Sequence, residues 1–287
     1  MTKQDQIGFV GYGDQGGPMA RAIAEAGLPL HAWARRPESM EILQGVPHIP
    51  HPAVADLAAA CDILCLCLPE DEDVRGVVAD GRLLDHMKPG SVLVNHGTGQ
   101  PAFARELSRT AAEHGVEVLD APVSGARAGA IAKTLITMVG GSADVTDRCR
   151  PVFETFSSKV VQVGGAGTGQ MCKLFNNALM MMNQRNIEEI VALAQRVDGL
   201  ELPALFDVLR SASATSFALE AMNRAVTVAN ADHLTKLELL DMELFAEAMA
   251  TYQPGAQSIT ERAVAGARGL VDLANAMRDV PVLENRG

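Results

Sequence analysis

From Ile7 to Val163, short β-rich runs alternate with stretches in which apolar residues recur every three or four positions. The runs are Ile7–Val10, Leu30–Trp33, Ile63–Leu68, Ser91–Asn95, Val116–Leu119, Leu135–Val139 and Val160–Val163. Helical patterns such as Gly17–Ala26 and Ala102–His114 lie between most of them. Lys88-Pro89-Gly90, Gly140-Gly141 and Gly164-Gly165 supply turn signals. This alternation predicts a parallel, doubly wound α/β sheet.

After Gly169 the pattern changes. No convincing strand occurs from Gln170 to Met277, where Ala, Leu, Met and Glu dominate. Leu174, Ala178, Met181 and Met182 recur at helical spacing, as do Leu237, Leu240, Leu244 and Phe245. An all-helical second half is expected, opened by a long helix from about Gln170 to Val197 that joins the halves. Met180-Met181-Met182 reads as core filler. The tail Val280–Gly287 reads as loosely ordered.

Length and charge narrow the class. The chain has 287 residues, 48% of them hydrophobic, so two domains are expected, 1–165 and 166–287. A net charge of −11 argues against nucleic acid and anionic membranes as partners. No 18-residue apolar run and no signal-peptide pattern occurs. Cys61, Cys65, Cys67, Cys149 and Cys172 show no disulfide pattern and read as small core residues of a reduced, cytoplasmic protein. The seven histidines have no ligand-like spacing to a cysteine pair, so no metal is expected.

The first strand runs into Gly11-Tyr12-Gly13-Asp14-Gln15-Gly16, a G-x-G-x-x-G that opens a helix. The first glycine permits the tight turn, the second lets a pyrophosphate approach the backbone, and the third lets helix and strand pack. The phosphates then meet the N–H groups and dipole of a helix N-terminus. NAD sites usually place an acid after the second strand to hold the ribose. Here that strand end reads Trp33-Ala34-Arg35-Arg36-Pro37, and arginines suit a 2′-phosphate, so NADP is favoured over NAD.

Three further segments carry candidate substrate chemistry. Gly167–Asn177 places Lys173 and Asn177 four residues apart, on one face if helical. A lysine among apolar neighbours is costly to bury, which marks Lys173 as a candidate acid/base. Ser124-Gly125-Ala126 offers a hydroxyl and closely spaced N–H groups for a carboxylate, although an ordinary serine–glycine turn reads the same way. Asn95-His96-Gly97-Thr98 ends another strand, where loops of this architecture line the ligand crevice; His96 alone reads as a loop histidine.

Taken in order, these motifs resemble the β-hydroxyacid dehydrogenases of the 3-hydroxyisobutyrate dehydrogenase family. The resemblance rests on Gly11–Ala20, Asn95–Pro101, Asp120–Gly125 with Gly129-Ala130, and Gly167–Asn177, with a weaker match at Gly269–Leu273. It implies a Rossmann-type domain and a helical domain joined by a long helix, with the active site in the cleft. It implies hydride transfer between NAD(P) and a short 3-hydroxy acid or semialdehyde, and a homodimer or homotetramer. By analogy Lys173 is the general acid/base and Asn177 orients the substrate. Ser124, Gly125, Ala126 and Asp241 belong to the substrate site, while Leu68, Pro69 and Thr98 join Gly11–Gly16 around the cofactor. A partly desolvated lysine near a cationic ring is suited to exchanging protons near neutral pH.

Several positions depart from the family pattern. Gln15 replaces a usual Met, Asn95-His96-Gly97-Thr98 replaces Asp-x-Ser-Thr, and Ala126 and Lys133 stand where glycines are common. Leu240-Asp241 replaces a Lys-Asp pair, with Lys236 one turn earlier. These changes point to a substrate other than 3-hydroxyisobutyrate itself. Competing readings are an imine-type C=N reductase, against which Lys173 argues, and a non-catalytic nucleotide-binding protein.

Overall fold

The computed structural model describes residues 4–80, 82–252 and 254–281. The chain forms two compact units, Met1–Lys173 and Leu174–Gly287. The first unit runs β1 (Ile7–Val10), α1 (Gly16–Glu25), β2 (Leu30–Trp33), β3 (Ile49–Pro50), α2 (Val54–Ala60), β4 (Ile63–Leu66), α3 (Asp71–Asp80), α4 (Leu83–His86), β5 (Val92–Asn95), α5 (Pro101–Ala112), β6 (Glu117–Asp120), β7 (Val123–Ser124), α6 (Ala126–Ala132), β8 (Leu135–Gly140), α7 (Ala143–Phe153) and β9 (Ser157–Gly164).

Strands β3, β2, β1, β4, β5 and β6 lie side by side in parallel. Alternate strand residues feed two cores, one on each face. Phe9, Cys65 and Val94 pack with Met19, Ile23 and Phe153, whereas Val10, Leu64 and Leu93 pack with Leu57, Leu84 and Leu107. Burial on both faces explains why these strands read as nearly continuous apolar runs.

The far end of the sheet departs from the expected parallel order. β8 runs antiparallel to β6 and β7, and β9 then pairs with β8 in parallel. Residues 125–134 between β7 and β8 are too few for a parallel crossover, which needs roughly a dozen or more. The two-residue strands β3 and β7 carry too little periodicity to be read from sequence.

The long helix α8 (Thr168–Ala194) follows, close to its expected bounds. After it come α9 (Leu202–Ser211), α10 (Phe217–Ala221), α11 (Ala231–Met249), α12 (Gly255–Arg268) and α13 (Leu270–Ala276). Ile187, Val191, Phe206, Leu219, Met222, Leu270, Leu273 and Met277 form the core of the helical unit. On α11 the helical period is right, and of the expected set Phe245 faces inward while Leu237 and Leu240 do not. Met242, Phe245 and Met249 are buried, whereas Leu237 and Leu240 are exposed. Two apolar stripes share this helix, and periodicity alone does not choose between them. Of the tail expected to be loose, Val280 is buried in the core and the Arg210 guanidinium donates to the Pro281 carbonyl at 2.7 Å. Residues 282–287 lie outside the described residues.

Candidate active site

Trp33, Val10, Leu66, Asn95 and Asp120 occupy one register row at the C-terminal ends of five adjacent strands. The candidate residues of the first unit follow directly from this row: Arg35 and Arg36 after β2, Gly11–Gly16 after β1, Leu68 and Pro69 after β4, Thr98 after β5, and Ser124 after β6. That edge is where ligands bind in open α/β sheets.

Each glycine of the nucleotide loop has its own reason. Gly11 sits at φ +99°, and a Cβ there would collide with the Cys67 carbonyl. A Cβ on Gly16 would collide with the Gly11 carbonyl, so α1 can start against β1 only without a side chain. Gly13 is different, because a Cβ there would meet nothing within 4 Å. Nothing inside the protein requires a glycine at 13, which fits the close approach of a pyrophosphate. The Tyr12 hydroxyl is committed to the Phe9 carbonyl at 2.7 Å, and burial raises its pKa further. Asp14, exposed on the loop, pairs with Arg127 at 3.3 Å, and Gln15 is half-buried at the start of α1. Arg35 and Arg36 are both exposed.

Two residues not singled out by sequence organise the neighbouring loops. The Asp120 carboxylate accepts the backbone N–H groups of Gly167 at 2.7 Å and Gln170 at 2.8 Å. It thereby caps the start of α8, where negative charge is favoured. Burial raises the Asp120 carboxyl above its usual range, opposed by these N–H groups. A Cβ on Gly169 would strike the Asp120 carbonyl, so the helix start is pressed against β6. Gln170 is the second residue. Its amide donates to the Gly97 carbonyl at 2.7 Å and accepts from Gly99 N–H at 2.9 Å, gripping the loop on both sides of Thr98. An Asp at a strand end before a distant glycine-rich helix start was the available signal, but its partners lie 47 and 50 residues away.

Lys173, one turn beyond Gln170 on α8, is buried, with only 9% of its surface exposed. Asn177, one turn further, is also buried and donates to the Asp241 carboxylate at 2.7 Å. Asn176 donates to the Asn177 carbonyl oxygen at 3.1 Å, so the amide orientation is fixed at both ends. Leu240, standing in place of the family's lysine, is exposed, as is Lys236. Ser124 and Gly125 are half-buried at the β7–α6 turn. Ala126 and Lys133, the two positions where glycines are common, both hold left-handed backbone, at φ +53° and +59°. The glycine-requiring geometry is therefore retained without the glycines.

His96 lies in the loop directly after β5, as expected, but it is core rather than solvent-facing. It is buried with Nδ1 2.8 Å from the Ala121 carbonyl, and Phe153 and Phe156 stand edge-on to its ring at 5.4 and 5.5 Å. Burial lowers its pKa to about 4, a neutral packing role rather than an acid/base one. The five cysteines are free, and burial pushes Cys61, Cys67 and Cys149 up to about 12. Among the described residues, no His, Cys, Asp and Glu group could hold a metal, and no helix is long and apolar enough to cross a membrane.

Known proteins resemble this chain in sequence and fold. Residues 6–165 match the NAD binding domain of 6-phosphogluconate dehydrogenase, and residues 167–265 match the NAD-binding domain of NADP-dependent 3-hydroxyisobutyrate dehydrogenase. An NAD-dependent L-serine dehydrogenase of Pseudomonas aeruginosa is 34% identical over 76% of this chain and 73% of its own. A probable 3-hydroxyisobutyrate dehydrogenase of Mycobacterium bovis is 33% identical over 74% of this chain and 71% of its own. The solved 3-hydroxyisobutyrate dehydrogenase of Mycobacterium tuberculosis with L-serine superposes with a TM-score of 0.82 at 30% identity, covering 95% of this chain and 96% of that one. With its Rossmann-type unit, its helical unit and these matches along most of its length, the chain belongs to the β-hydroxyacid dehydrogenase family, whose members are NAD(P)-dependent oxidoreductases.

Proposed function

We propose that this protein interconverts a short 3-hydroxy acid and its semialdehyde or keto form, with Lys173 as general acid/base. The observation that carries the reading is the burial of Lys173 on a helix whose start is pinned by Asp120. Burying an ammonium is expensive, and a rigid mount for it is what proton transfer at a fixed atom needs. When bound, the nicotinamide supplies the hydride acceptor. In oxidation Lys173 takes the hydroxyl proton as the carbonyl forms, and in reduction it returns that proton to the carbonyl oxygen. Asn177, oriented by Asp241, turns its remaining N–H to the same substrate oxygen. Ser124 and the backbone of Gly125 hold the carboxylate.

The cofactor we favour is NADP, because Arg35 and Arg36 follow β2 with their side chains exposed and suit a 2′-phosphate. The substrate we favour is a 3-hydroxy acid other than 3-hydroxyisobutyrate, since Ala126 and Leu240 depart from the family pattern. A serine-like acid is consistent with the names of the relatives. We place the protein in the cytoplasm, where buried free thiols persist. A homodimer or homotetramer would cover Leu193, Val208 and Phe217, which are exposed in the helical unit.

The test is NADPH and NADH oxidation with a panel of semialdehydes, keto acids and imines, on wild type and Lys173→Ala. We expect carbonyl reduction in the wild type and a fall in kcat of about 10²- to 10⁴-fold in the variant, with cofactor affinity retained. Unchanged carbonyl reduction by Lys173→Ala would remove the mechanism, and turnover of imines alone would replace it with C=N reduction.

A further inference from the structure

Two polar rungs cross from α8 to α11 inside the helical unit. Asn177 donates to Asp241 at 2.7 Å, and Gln184 donates through Nε2 to Glu238 Oε1 at 2.8 Å. The partners advance along α8 as they retreat along α11, so the helices are antiparallel here. The first rung belongs to the proposed site, but the second has no place in it. Gln184 is 1% exposed and Glu238 9%.

The second rung has an imbalance. Glu238 Oε2 and Gln184 Oε1 are both buried without a hydrogen-bond partner, and the buried Thr235 hydroxyl is likewise unpartnered and so relieves neither. An ionised carboxylate and an amide oxygen both only accept, so neither can satisfy the other. A single proton on Oε2 resolves both atoms. Oε2–H then donates to Gln184 Oε1 while Gln184 Nε2–H donates to Glu238 Oε1, closing a cyclic acid–amide pair. Leaving two buried polar atoms unpaired, one of them charged, is the costly alternative.

We propose that Glu238 is held as the neutral acid in this pair with Gln184, and that the pair makes Glu238 the positioning residue that keeps Asp241 against Asn177. Burial pushes the Glu238 carboxyl up to about 7; the Gln184 hydrogen bond opposes this and Asp241 adds to it. The other charges on the surrounding helices are engaged or exposed. On α8, Arg185 bonds Glu188 and Glu189. On α12, Arg262 bonds Glu189 and Glu261 accepts from Gln257, while Arg268 is exposed. Asp272 of α13 and Asp232, His233, Lys236, Glu243 and Glu247 of α11 are exposed. Ionising Glu238 therefore puts a second carboxylate beside Asp241, whose charge already opposes it. The acid–amide rung opens, α11 loses its fixed register on α8, and Asn177 loses its orientation. The consequence for turnover rests on the dehydrogenase reading; the protonated pair does not.

Two variants separate the possibilities. Glu238→Gln can form both hydrogen bonds with Gln184 and has no proton to lose, whereas Glu238→Leu removes the rung. Urea unfolding, KM and kcat are followed from about pH 5 to about pH 9. The folded carboxyl titrates near 7 and the unfolded one near 4.5, so the folded state holds the extra proton between them. Wild type therefore loses stability as pH rises through that window. We expect Glu238→Gln to lack this loss and, at the alkaline end, to show a KM for the hydroxy acid roughly tenfold below wild type, about 1.4 kcal/mol. Glu238→Leu should show the raised KM already at the acid end, with kcat nearly unchanged. The infrared difference between wild type and Glu238→Gln should show a protonated carboxyl band at the acid end that vanishes at the alkaline end. Parallel unfolding profiles for the two proteins, or no such band, would overturn the pair. An unaltered KM in Glu238→Leu would overturn the positioning role. If wild type turns over no hydroxy acid, the dehydrogenase reading fails, and the unfolding profile and infrared band still decide the pair.

Discussion

The two units build their candidate sites from different materials. The nucleotide-binding unit uses main chain: glycines that admit a turn, strand ends in register, and backbone N–H groups capped by Asp120. The helical unit uses side-chain pairs, Asn177 with Asp241 and Gln184 with Glu238, set into otherwise apolar helices. A main-chain site tolerates almost no added atom, because backbone cannot step aside. A side-chain site tolerates change in volume better, and responds instead to charge and pairing.

The largest effect that would break this contrast is at Gly16. Valine there would drive its Cβ into the Gly11 carbonyl and leave it 3.0 Å from the Cys67 Cβ. Overpacking against backbone costs on the order of 3 kcal/mol or more, so Gly16→Val should lower the unfolding midpoint sharply and abolish dinucleotide binding. Gly13→Ala is the sharpening partner, since its Cβ meets nothing in the protein. It should unfold like wild type while losing affinity for the dinucleotide by titration calorimetry. If Gly13→Ala binds as tightly as wild type, the open space at Gly13 is not where the phosphates lie.

The same contrast explains what sequence revealed. Glycines and strand ends announce themselves locally, so Gly11–Gly16 and the strands β1 and β2 are legible residue by residue. The reversal of β8 is not, because it depends on the length of a connection rather than on the strand's own pattern. Asp120 and Gln170 are ordinary polar residues until the fold brings Gly167 and Gly97 to them. His96 beside a strand end reads in sequence as a loop histidine, and only the packing of Phe153 and Phe156 shows it as core. On α11, a buried glutamate breaks the apolar stripe, so the periodicity favours Leu237 and Leu240, which face solvent.

Two buried titratable groups, His96 in the first unit and Glu238 in the helical unit, respond to pH in opposite directions. Burial depresses His96 from 6.5 to about 4, so in this range the unfolded chain binds the proton and the folded one does not. Its contribution is present above about 6.5 and is lost as pH falls toward 4, an upper estimate of about 3 kcal/mol. Glu238 does the reverse, losing its contribution as pH rises from 4.5 to about 7. Hydrogen exchange resolved by segment should show the strands around His96 opening more readily in acid and α11 opening more readily toward neutrality, after correction for intrinsic exchange. His96→Leu should remove the first response and leave the second, at a cost of about 1 kcal/mol at neutral pH for the lost bond to Ala121. Equal acid sensitivity in His96→Leu would mean another group in the first unit carries it.

The smallest expected effect has the opposite sign. Ala126 holds φ +53°, where an L-residue is strained by roughly 1 kcal/mol, and glycine is not. Glycine also gains freedom in the unfolded chain, which offsets part of the relief. Ala126→Gly should therefore raise stability by less than about 1 kcal/mol, measurable as a small rise in urea midpoint at unchanged slope. Lys133, at φ +59°, is the control, because its ammonium also bonds Glu25 at 3.0 Å and holds that carboxyl below its usual range. Lys133→Gly relieves the same backbone strain but loses that pair, so its gain should be the smaller of the two. A gain at 133 equal to that at 126 would mean that the exposed pair with Glu25 contributes nothing, as many surface ion pairs do. A loss at 126 would mean that the alanine methyl, not the backbone, sets the energy of the β7–α6 turn.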